Sequence, residues 1–254
     1  MGGDVASFAP IKGETLSGQI AAQIRAALFA GQLTAGERLG GEQGLAARFG
    51  VSRMAMRDAL RSLEALGIVD IRVGAKGGIY IAQGNPDRFA DALAVQLKLI
   101  GVTVEEIFDA QIAIEVNSAA LAAERATADD IAALRALLAE LRAVVEAPGG
   151  FADIPRFTDL SLRVHQAFVE ASHNRVLLAQ FKALRFVLEP LHHRHTTPAV
   201  AKRVLAGHES VLAAIEAGDA EGARAHLHKR LMTVRARQLM MRREVETARE
   251  GRST

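Results

Sequence analysis

Residues 36–82 read GERLGGEQGLAARFGVSRMAMRDALRSLEALGIVDIRVGAKGGIYIA and decide the fold of the first part of the chain. Leu45 and Phe49 stand one turn apart, which predicts a short helix with an apolar edge. Gly50 can adopt the left-handed conformation that ends such a helix, and the hydroxyl of Ser52 can cap the next one. Two helices joined by so short a turn must cross steeply, so the sequence predicts a helix-turn-helix.

The second predicted helix has an inner and an outer face. Its apolar residues follow the helical period and are expected to face inward: Ala59, Leu60, Leu63 and Leu66. Arg53, Arg57 and Arg61 recur every fourth residue and therefore share the outer face. Guanidinium groups donate paired hydrogen bonds to phosphates and guanine edges, so this face is suited to DNA.

Two β-prone runs follow the second helix, at residues 68–71 and 79–81. The glycine-rich residues 74–78 between them predict a hairpin whose tip carries Lys76, within reach of a phosphate or the minor groove. An ordinary helical domain with solvated arginines is the alternative, but helix, cap, turn and hairpin agree with one another. The sequence therefore predicts a winged helix-turn-helix that binds double-stranded DNA.

The run GVSRMAMRDALRSLEALGIVDIR, followed by GAKGG, resembles the DNA-binding domain of the GntR superfamily. That family carries a VSR-x-x-x-R-x-A-L-x-x-L-x-x-x-G pattern and a glycine wing, and the similarity spans about residues 15–82. The DNA-contact residues expected from the resemblance and the neighbouring positions are Gln43, Arg48, Ser52, Arg53, Met54, Arg57, Lys76, Gly77 and Gly78. The family usually has Leu-Pro-Ser-Glu-Arg where this chain has LGGEQ at 39–43, so Gln43 replaces an arginine and the operator preference is expected to differ.

Composition excludes several classes of protein. With 254 residues, of which 50% are hydrophobic, the chain has ample core for one large domain or two. The absence of cysteine excludes disulfide frameworks and thiolate chemistry and agrees with a reducing compartment. Neither a signal region nor an apolar run of roughly 20 residues is present, so we expect a cytoplasmic protein without membrane contact.

The positive charge of the chain is local. The formal net charge is only +2, yet four arginines and a single acid, Asp58, lie between Arg48 and Arg61. This concentrates the positive field on the predicted recognition helix. Since one such domain buries too little surface for tight specific binding, we expect a homodimer on two half-sites.

The remainder of the chain is predicted to be helical. Gly84-Asn85-Pro86 forms a turn signal, which indicates a boundary between a DNA-binding domain at 1–84 and a second domain at 85–254. From Pro86 onward, alanine- and leucine-rich segments with helical periodicity alternate with glycine, proline or Asn breaks. The fold class is therefore mainly α: a winged helix-turn-helix followed by an all-helical bundle of six to seven helices.

Three patterns in this second part resemble the FadR branch of the superfamily, whose C-terminal effector-binding domain is called FCD. They are IFDAQIAIEVNSAALAAERAT, HQAFVEASHN and GHESVLAAIEAGDAEGA, in that order along the chain. The resemblance implies a domain that binds a small-molecule effector and mediates dimerisation. It also implies that the effector, or a metal, changes the match between two DNA-binding domains and their half-sites, most commonly relieving repression.

All eight histidines lie between His165 and His228. In the resembling family a metal is often held by an aspartate four residues before a histidine and by two further histidines on the last two helices. His165 and His208 match two of these positions, but Ser161 and Arg230 occupy the other two. Two of the four ligands that the resemblance implies are therefore missing.

Three interpretations of this site remain open. In an antiparallel helix pair His226 lies one turn from Arg230, so His165, His208 and His226 would form a zinc or nickel site. Alternatively, Arg230 and the histidines bind an anionic effector directly, without metal. In the third interpretation the histidines are ordinary interior hydrogen-bond donors.

Gln111 and Glu115 lie one turn apart in the first long helix of the second domain. The resembling family often has an arginine at the first of these positions, which binds an effector carboxylate. Glutamine adds no charge, so the effector is expected to be less acidic or more apolar than small organic acids. The predicted function is a ligand-responsive repressor with an effector site formed by Gln111, Glu115, Ser161, His165, His208, His226 and Arg230; the alternative is a metal-dependent enzyme tethered to DNA.

Overall fold

The computed structural model describes residues 15–74, 77–148, 150–192 and 196–250, with the backbone alone at 190–192 and 242–250. The chain divides into two compact units, Met1–Asn85 and Pro86–Thr254. Each unit is built around its own hydrophobic core. None of the helices in the described ranges combines the length and the apolar character that crossing a lipid bilayer requires.

Three helices and three short strands make up the described part of the first unit. In chain order they are α1 (Leu16–Phe29), β1 (Arg38–Gly40), α2 (Glu42–Phe49), α3 (Arg53–Ala65), β2 (Val69–Arg72) and β3 (Gly78–Ile81). The strands form one antiparallel sheet in the order β1-β3-β2. The predicted winged helix-turn-helix is confirmed, and β1 is an additional strand, too short to show an alternating pattern in the sequence.

Local sequence signals set the geometry of the α2–α3 turn. Gly50 has a φ of 64° and ends α2 in the left-handed conformation. The hydroxyl of Ser52 accepts a hydrogen bond of 3.1 Å from the backbone N–H of Ala55, which caps α3. These are the residues from which the turn was predicted.

The core of the first unit lies between α1 and α3. Ile20 and Ile24 of α1 belong to it together with Leu60 and Leu63 of α3. The expectation that Leu66 faces inward is wrong, because α3 ends at Ala65 and Leu66 exposes 65% of its surface. The inner face of α3 instead includes Met56, which is fully buried and lies about one turn before Ala59 and Leu60.

Seven helices make up the described part of the second unit. They are α4 (Pro86–Leu99), α5 (Val104–Arg125), α6 (Ala128–Val145), α7 (Ile154–Ala171), α8 (Arg175–His192), α9 (Pro198–Glu216) and α10 (Ala220–Glu250). Capping boxes start two of them: Thr103 with Glu106 at α5, and Thr127 with Asp130 at α6. The predicted all-helical bundle is confirmed.

The main core of the second unit is formed by α5, α6, α7, α9 and α10. Phe168 of α7 and Leu134 of α6 are among its fully buried residues. Polar side chains interrupt this apolar interior where α5, α7 and α9 meet, and each is at most 6% exposed: Gln111, Glu115, Ser161, His165 and His208. A buried polar group must find hydrogen-bond partners, so these residues mark a site.

Candidate functional site

The outer face of α3 carries most of the predicted DNA contacts. Arg53, Met54 and Arg57 are exposed, and Met54 exposes 70% of its surface. A methionine so placed at the start of the recognition helix is suited to an apolar contact with a thymine methyl group. The oxygen of Ser52 accepts the capping bond, so its O–H remains a donor for a phosphate.

Glu42, at the start of α2, binds the arginines of the recognition helix. Arg57 donates to both carboxylate oxygens, from Nε at 3.2 Å and from Nη2 at 2.9 Å. Arg53 lies within 3.7 Å of the same carboxylate. The hydrogen bonds from Arg57 lower the pKa of Glu42. The Arg57 guanidinium is thus held in one orientation by Glu42, a contact that no pattern in the sequence indicated.

Gln43 and Arg48 of α2 are also exposed, and Arg48 donates to the carbonyl of Leu39 at 3.5 Å. The structure therefore leaves the Gln43 amide on the surface of the helix that precedes the turn. Arg48 is tied to β1 by a long hydrogen bond. Both positions remain predicted DNA contacts.

Backbone geometry explains the wing glycines independently of DNA. A Cβ on Gly77 would lie 2.7 Å from the carbonyl oxygen of Arg72, and Gly78 has a φ of 146°. Arg38 donates to the carbonyl of Gly77 at 3.2 Å. The Arg72 guanidinium lies 4.1 Å above the centre of the Tyr80 ring. Lys76 lies outside the described residues.

In the second unit, the buried polar residues form a connected chain of hydrogen bonds. His165 Nδ1 contacts the carboxylate of Glu115 through a very short hydrogen bond, and His165 Nε2 accepts from Nη1 of Arg230 at 2.6 Å. Nη2 of Arg230 donates to His208 Nε2 at 3.1 Å. Carboxylate, imidazole and guanidinium thus follow one another through the core.

The donor and acceptor roles in this chain follow from Arg230. A guanidinium can only donate, so the Nε2 atoms of His165 and His208 must both be unprotonated acceptors. His165 then carries its proton on Nδ1 and donates it to Glu115. The site contains one negative and one positive group joined by a neutral imidazole.

Burial determines the charge states of these groups. It lowers the pKa of His165 against the opposing effect of Glu115, and it holds the pKa of His208 well below its usual range, with Arg230 adding to the effect. Burial also lowers the pKa of Arg230 to about 10. At neutral pH the two buried histidines, His165 and His208, are neutral and Arg230 is charged.

Two further polar side chains complete the site. Gln111 donates from Nε2 to Glu115 at 2.6 Å, and Ser161 Oγ lies 3.1 Å from His208 Nε2. Several buried polar atoms have no hydrogen-bond partner among the described residues, including Gln111 Oε1, His208 Nδ1 and Arg230 Nε. Unpaired buried polar atoms are rare in folded proteins and commonly mark places for a ligand or water.

Gly207 allows Arg230 to reach the histidines. A Cβ at position 207 would lie 2.9 Å from Cδ of Arg230 and 3.5 Å from its Nε. The stem of Arg230 therefore passes directly over the α9 backbone where there is no side chain. This requirement was not identified from the sequence, although Gly207 immediately precedes His208.

His226 does not join the buried cluster. It is exposed on α10 and lines the wall of a surface cavity together with Arg230. The described residues include no group of three or more His, Cys, Asp or Glu side chains that could hold a metal ion. Because the Nε2 atoms of His165 and His208 face a guanidinium, the donor set does not fit a divalent cation.

Two cavities meet at Arg230. The inner one has a volume of about 60 Å³ and is lined by Ser161, His165 and Arg230 among others. The outer one lies between α9 and α10 and measures about 410 Å³. Arg230 is therefore part of the wall of both cavities.

Two protein families match this chain, one in each of its two compact units. The family of bacterial regulatory proteins named gntR matches residues 16–81, which contain α1, the helix-turn-helix and the wing. The FCD domain family matches residues 106–232, which contain every residue of the buried cluster.

Full-length relatives are regulators as well. The putative L-lactate dehydrogenase operon regulatory protein of Escherichia coli K12 is 34% identical over 249 residues, covering 94% of this chain and 92% of that protein. The Uxu operon transcriptional regulator of the same organism is 29% identical, covering 87% of this chain and 86% of that protein. Streptococcus agalactiae GntR shares the fold, with a TM-score of 0.57 at 21% identity over 87% of this chain and 99% of that one.

These similarities give no support to the alternative of an enzyme tethered to DNA. The first unit matches a family of DNA-binding regulators, and the second unit matches an effector-binding domain. The relatives are named for the operons that they regulate. The chain belongs to the GntR family of bacterial regulatory proteins, and it is a ligand-responsive transcription regulator with a C-terminal FCD domain.

Proposed function

We propose that this regulator is a cytoplasmic homodimeric repressor that releases a two-fold operator when a small organic anion binds to its FCD domain. The exposed arginines of α3 support the operator-binding part of the proposal. The guanidinium held between His165 and His208 carries the effector part, because it is a permanent positive charge inside the effector-binding domain.

Operator recognition is assigned to three elements of the first unit: α3, α2 and the wing. Arg53, Met54 and Arg57 read base edges in the major groove from α3, with Ser52 on a phosphate at its N-terminus. Gln43 and Arg48 of α2 contact the flanking backbone. Gly77, Gly78 and Lys76 of the wing approach the adjacent phosphates or the minor groove.

Dimerisation is assigned to the second unit. Helices α4 and α8 pack against each other. Both expose large apolar side chains: Phe89, Val95 and Leu99 on α4, and Val176 and Phe186 on α8. Exposed apolar groups concentrated on two adjacent helices are characteristic of a surface that another protein covers. A second copy of this chain would also supply the second recognition helix that a two-fold operator needs.

The effector is assigned to the neighbourhood of Arg230. A guanidinium pairs with carboxylate or phosphate through parallel hydrogen bonds, and the Nε of Arg230 has no partner among the described residues. One relative is named for the operon of L-lactate dehydrogenase, an enzyme whose substrate is a small carboxylate. An anionic effector agrees with both observations.

A metal-dependent effector site is the second candidate, because related FCD domains often bind metal. Arg230 argues against it here, since its charge occupies the side of both imidazoles on which a cation would bind. In this chain Arg230 supplies the positive charge that a metal would otherwise supply.

Operator binding is tested with the variant Arg57→Ala. We expect the affinity for a selected operator to fall by at least about tenfold, because a bidentate base contact contributes about 1–3 kcal/mol of discrimination. Fluorescence anisotropy with labelled operator measures the loss, and circular dichroism checks that the helices remain. Unchanged affinity in a folded variant would remove α3 from the proposed interface.

The metal content of the purified protein tests the proposal that the effector site works without a metal. We expect protein purified without chelator to hold far less than one metal per chain and to melt at the same temperature with and without a strong chelator. The double variant Ser161→Asp/Arg230→His restores the four ligand positions that the family resemblance implies, and it should gain stoichiometric zinc. Stoichiometric metal in the natural sequence would favour the second candidate.

A further inference from the structure

The outer cavity lies in a groove between α9 and α10 whose chemistry differs from that of the buried cluster. Four cationic side chains line its wall: Arg203, Lys229, Arg230 and Arg237. No aspartate or glutamate is among the described residues that line it. The described walls of the groove therefore carry basic side chains and no acidic ones.

Apolar side chains share the groove with these cations. Val200 and Val204 of α9 and Val234 of α10 line it, together with the methyl-bearing Thr233. In the antiparallel pair α9–α10, the residues equidistant from the Gly218 turn face one another, which puts these valines at one end and His226 at the other. The groove thus has Arg203 and Arg237 beside the valines, and Lys229 and Arg230 nearer to its middle.

The volume of the groove fits an organic molecule. At about 410 Å³ it lies within the range of roughly 300–1,000 Å³ that is usual for small-molecule sites. The inner cavity, at about 60 Å³, has room for only a few water molecules. An effector larger than a few atoms would therefore be held in the groove rather than beside His165.

The two acids of α9 are hydrogen-bonded to another helix. Glu209 accepts a hydrogen bond from Arg142 of α6, and Glu216 accepts one from Arg135 of the same helix. These contacts direct both carboxylates of α9 away from the groove. Together with the cationic side chains that line the groove, this arrangement favours an anionic ligand.

Arg230 connects the groove with the buried cluster. It lines both cavities, and its Nη atoms hold His165 and His208. An anion that binds Arg230 from the groove therefore competes with the histidines for the same guanidinium. This arrangement gives the cluster a means of sensing the occupancy of the groove.

We propose that the α9–α10 groove binds an amphiphilic organic anion, with a carboxylate or phosphate head on Arg230, Lys229 and Arg203 and a hydrocarbon body on the valines. The inference rests on the proposed function, in which an anion is the effector, and it specifies both the site and the class of that anion. It agrees with Gln111, which replaces the arginine that would bind a second acidic group.

Calorimetric titration with four probes tests the class of ligand. Hexanoate and hexyl phosphate carry head and body, acetate carries the head alone, and hexanol carries the body alone. We expect hexanoate or hexyl phosphate to bind at least about tenfold more tightly than acetate and hexanol, because each buried methylene adds to the affinity. The better of the two amphiphiles identifies the head group as carboxylate or phosphate.

Variants of the groove test the site. Arg203→Gln and Lys229→Gln should each weaken the amphiphile by about threefold to tenfold, as expected for the loss of one exposed charge contact. Val200→Thr keeps the shape of the side chain but adds a hydroxyl group. It should reduce the increase in binding affinity that each methylene group of the probe contributes. Arg163→Gln on the exposed face of α7 is the matched control for charge and should leave binding unchanged.

Two outcomes overturn the inference: affinity that does not increase with chain length, or a loss in Arg163→Gln equal to that in the groove variants. Operator release is measured in a separate experiment. The repressor mechanism and the anion site in the α9–α10 groove can therefore fail independently of each other. If hexanoate binds the groove and the operator stays bound, the repressor mechanism fails and the groove stands. If another anion releases the operator through Arg230 while the groove variants behave as the natural sequence, the groove inference fails and the mechanism stands.

Discussion

Glu42 holds the guanidinium of Arg57 through two hydrogen bonds, at the surface where DNA is proposed to bind. A carboxylate beside a phosphate-binding surface repels DNA, so its presence needs a compensating benefit. That benefit is orientation: a fixed guanidinium loses less conformational entropy when it binds a base edge. We therefore expect Glu42 to favour specific over non-specific binding.

The variant Glu42→Gln separates these two effects. We expect non-specific DNA to bind about twofold to fivefold more tightly, because one negative charge is removed from the interface. The ratio of operator affinity to non-specific affinity should fall, because Arg57 then has one acceptor oxygen in place of two. Anisotropy titrations with operator and scrambled DNA over a range of salt concentrations measure both quantities.

Asp58→Asn is the control for this prediction, because it removes the same charge from an exposed position on α3. It should tighten non-specific binding and leave the specificity ratio nearly unchanged. If Glu42→Gln and Asp58→Asn behave alike, Glu42 acts only through its charge.

At the residue level, sequence patterns predicted the exposed arginines and the caps but not the partners of side chains. The substitution of Ser161 and Arg230 for metal ligands could be recognised from the family resemblance. The contact of Arg230 with both imidazoles could not, because it depends on how far α10 lies from α9. For the same reason the sequence suggested His226 as a third ligand, whereas its side chain is exposed.

At the level of elements, the close approach of α9 and α10 depends on Gly207. Glycine normally destabilises a helix interior by about 0.5–1 kcal/mol relative to alanine. At position 207 a methyl group would lie 2.9 Å from Cδ of Arg230. The unfavourable helix propensity of Gly207 is offset by the path it opens for Arg230.

Gly207→Ala should therefore destabilise the FCD domain by about 1–3 kcal/mol, as overpacking does, despite the better helix former. In an Arg230→Ala background the same change should instead stabilise the domain by about 0.5–1 kcal/mol. Urea unfolding of the four proteins gives the coupling free energy. A Gly207→Ala effect of the same sign in both backgrounds would mean that Arg230 does not pass over this glycine.

Periodicity predicted the elements well where they are long. The six to seven helices predicted for the second unit agree with the seven in its described part, because each contains several turns of consistent pattern and a break at its end. Strand β1 was missed because three residues cannot establish a period. Leu66 was misassigned because periodicity does not reveal that a helix ends one residue earlier.

At the level of the whole molecule, the two buried histidines make stability depend on pH. Their pKa values are lowered by burial, so below the usual histidine pKa of about 6.5 the unfolded chain binds protons that the folded protein does not. Stability is fully present above that pH and decreases as the pH falls. The slope reaches at most about 1.4 kcal/mol per pH unit for each histidine.

Urea unfolding between pH 7.5 and 5.5 measures this dependence, in a window above the range in which most carboxylates titrate. His208→Gln should remove up to about half of the slope, and the exposed His226→Gln should retain nearly all of it. Equal slopes in the two variants would contradict the assignment of a buried neutral imidazole to position 208.

Tyr80, the wing residue on which Arg72 stacks, determines the intrinsic fluorescence of the chain. Tyr80 is the only tyrosine and the chain has no tryptophan, so essentially all intrinsic ultraviolet emission comes from β3 of the wing. Far-ultraviolet ellipticity, by contrast, is dominated by the seven long helices of the other unit. Emission and ellipticity recorded in one denaturation experiment therefore report on the two domains separately, without any attached label.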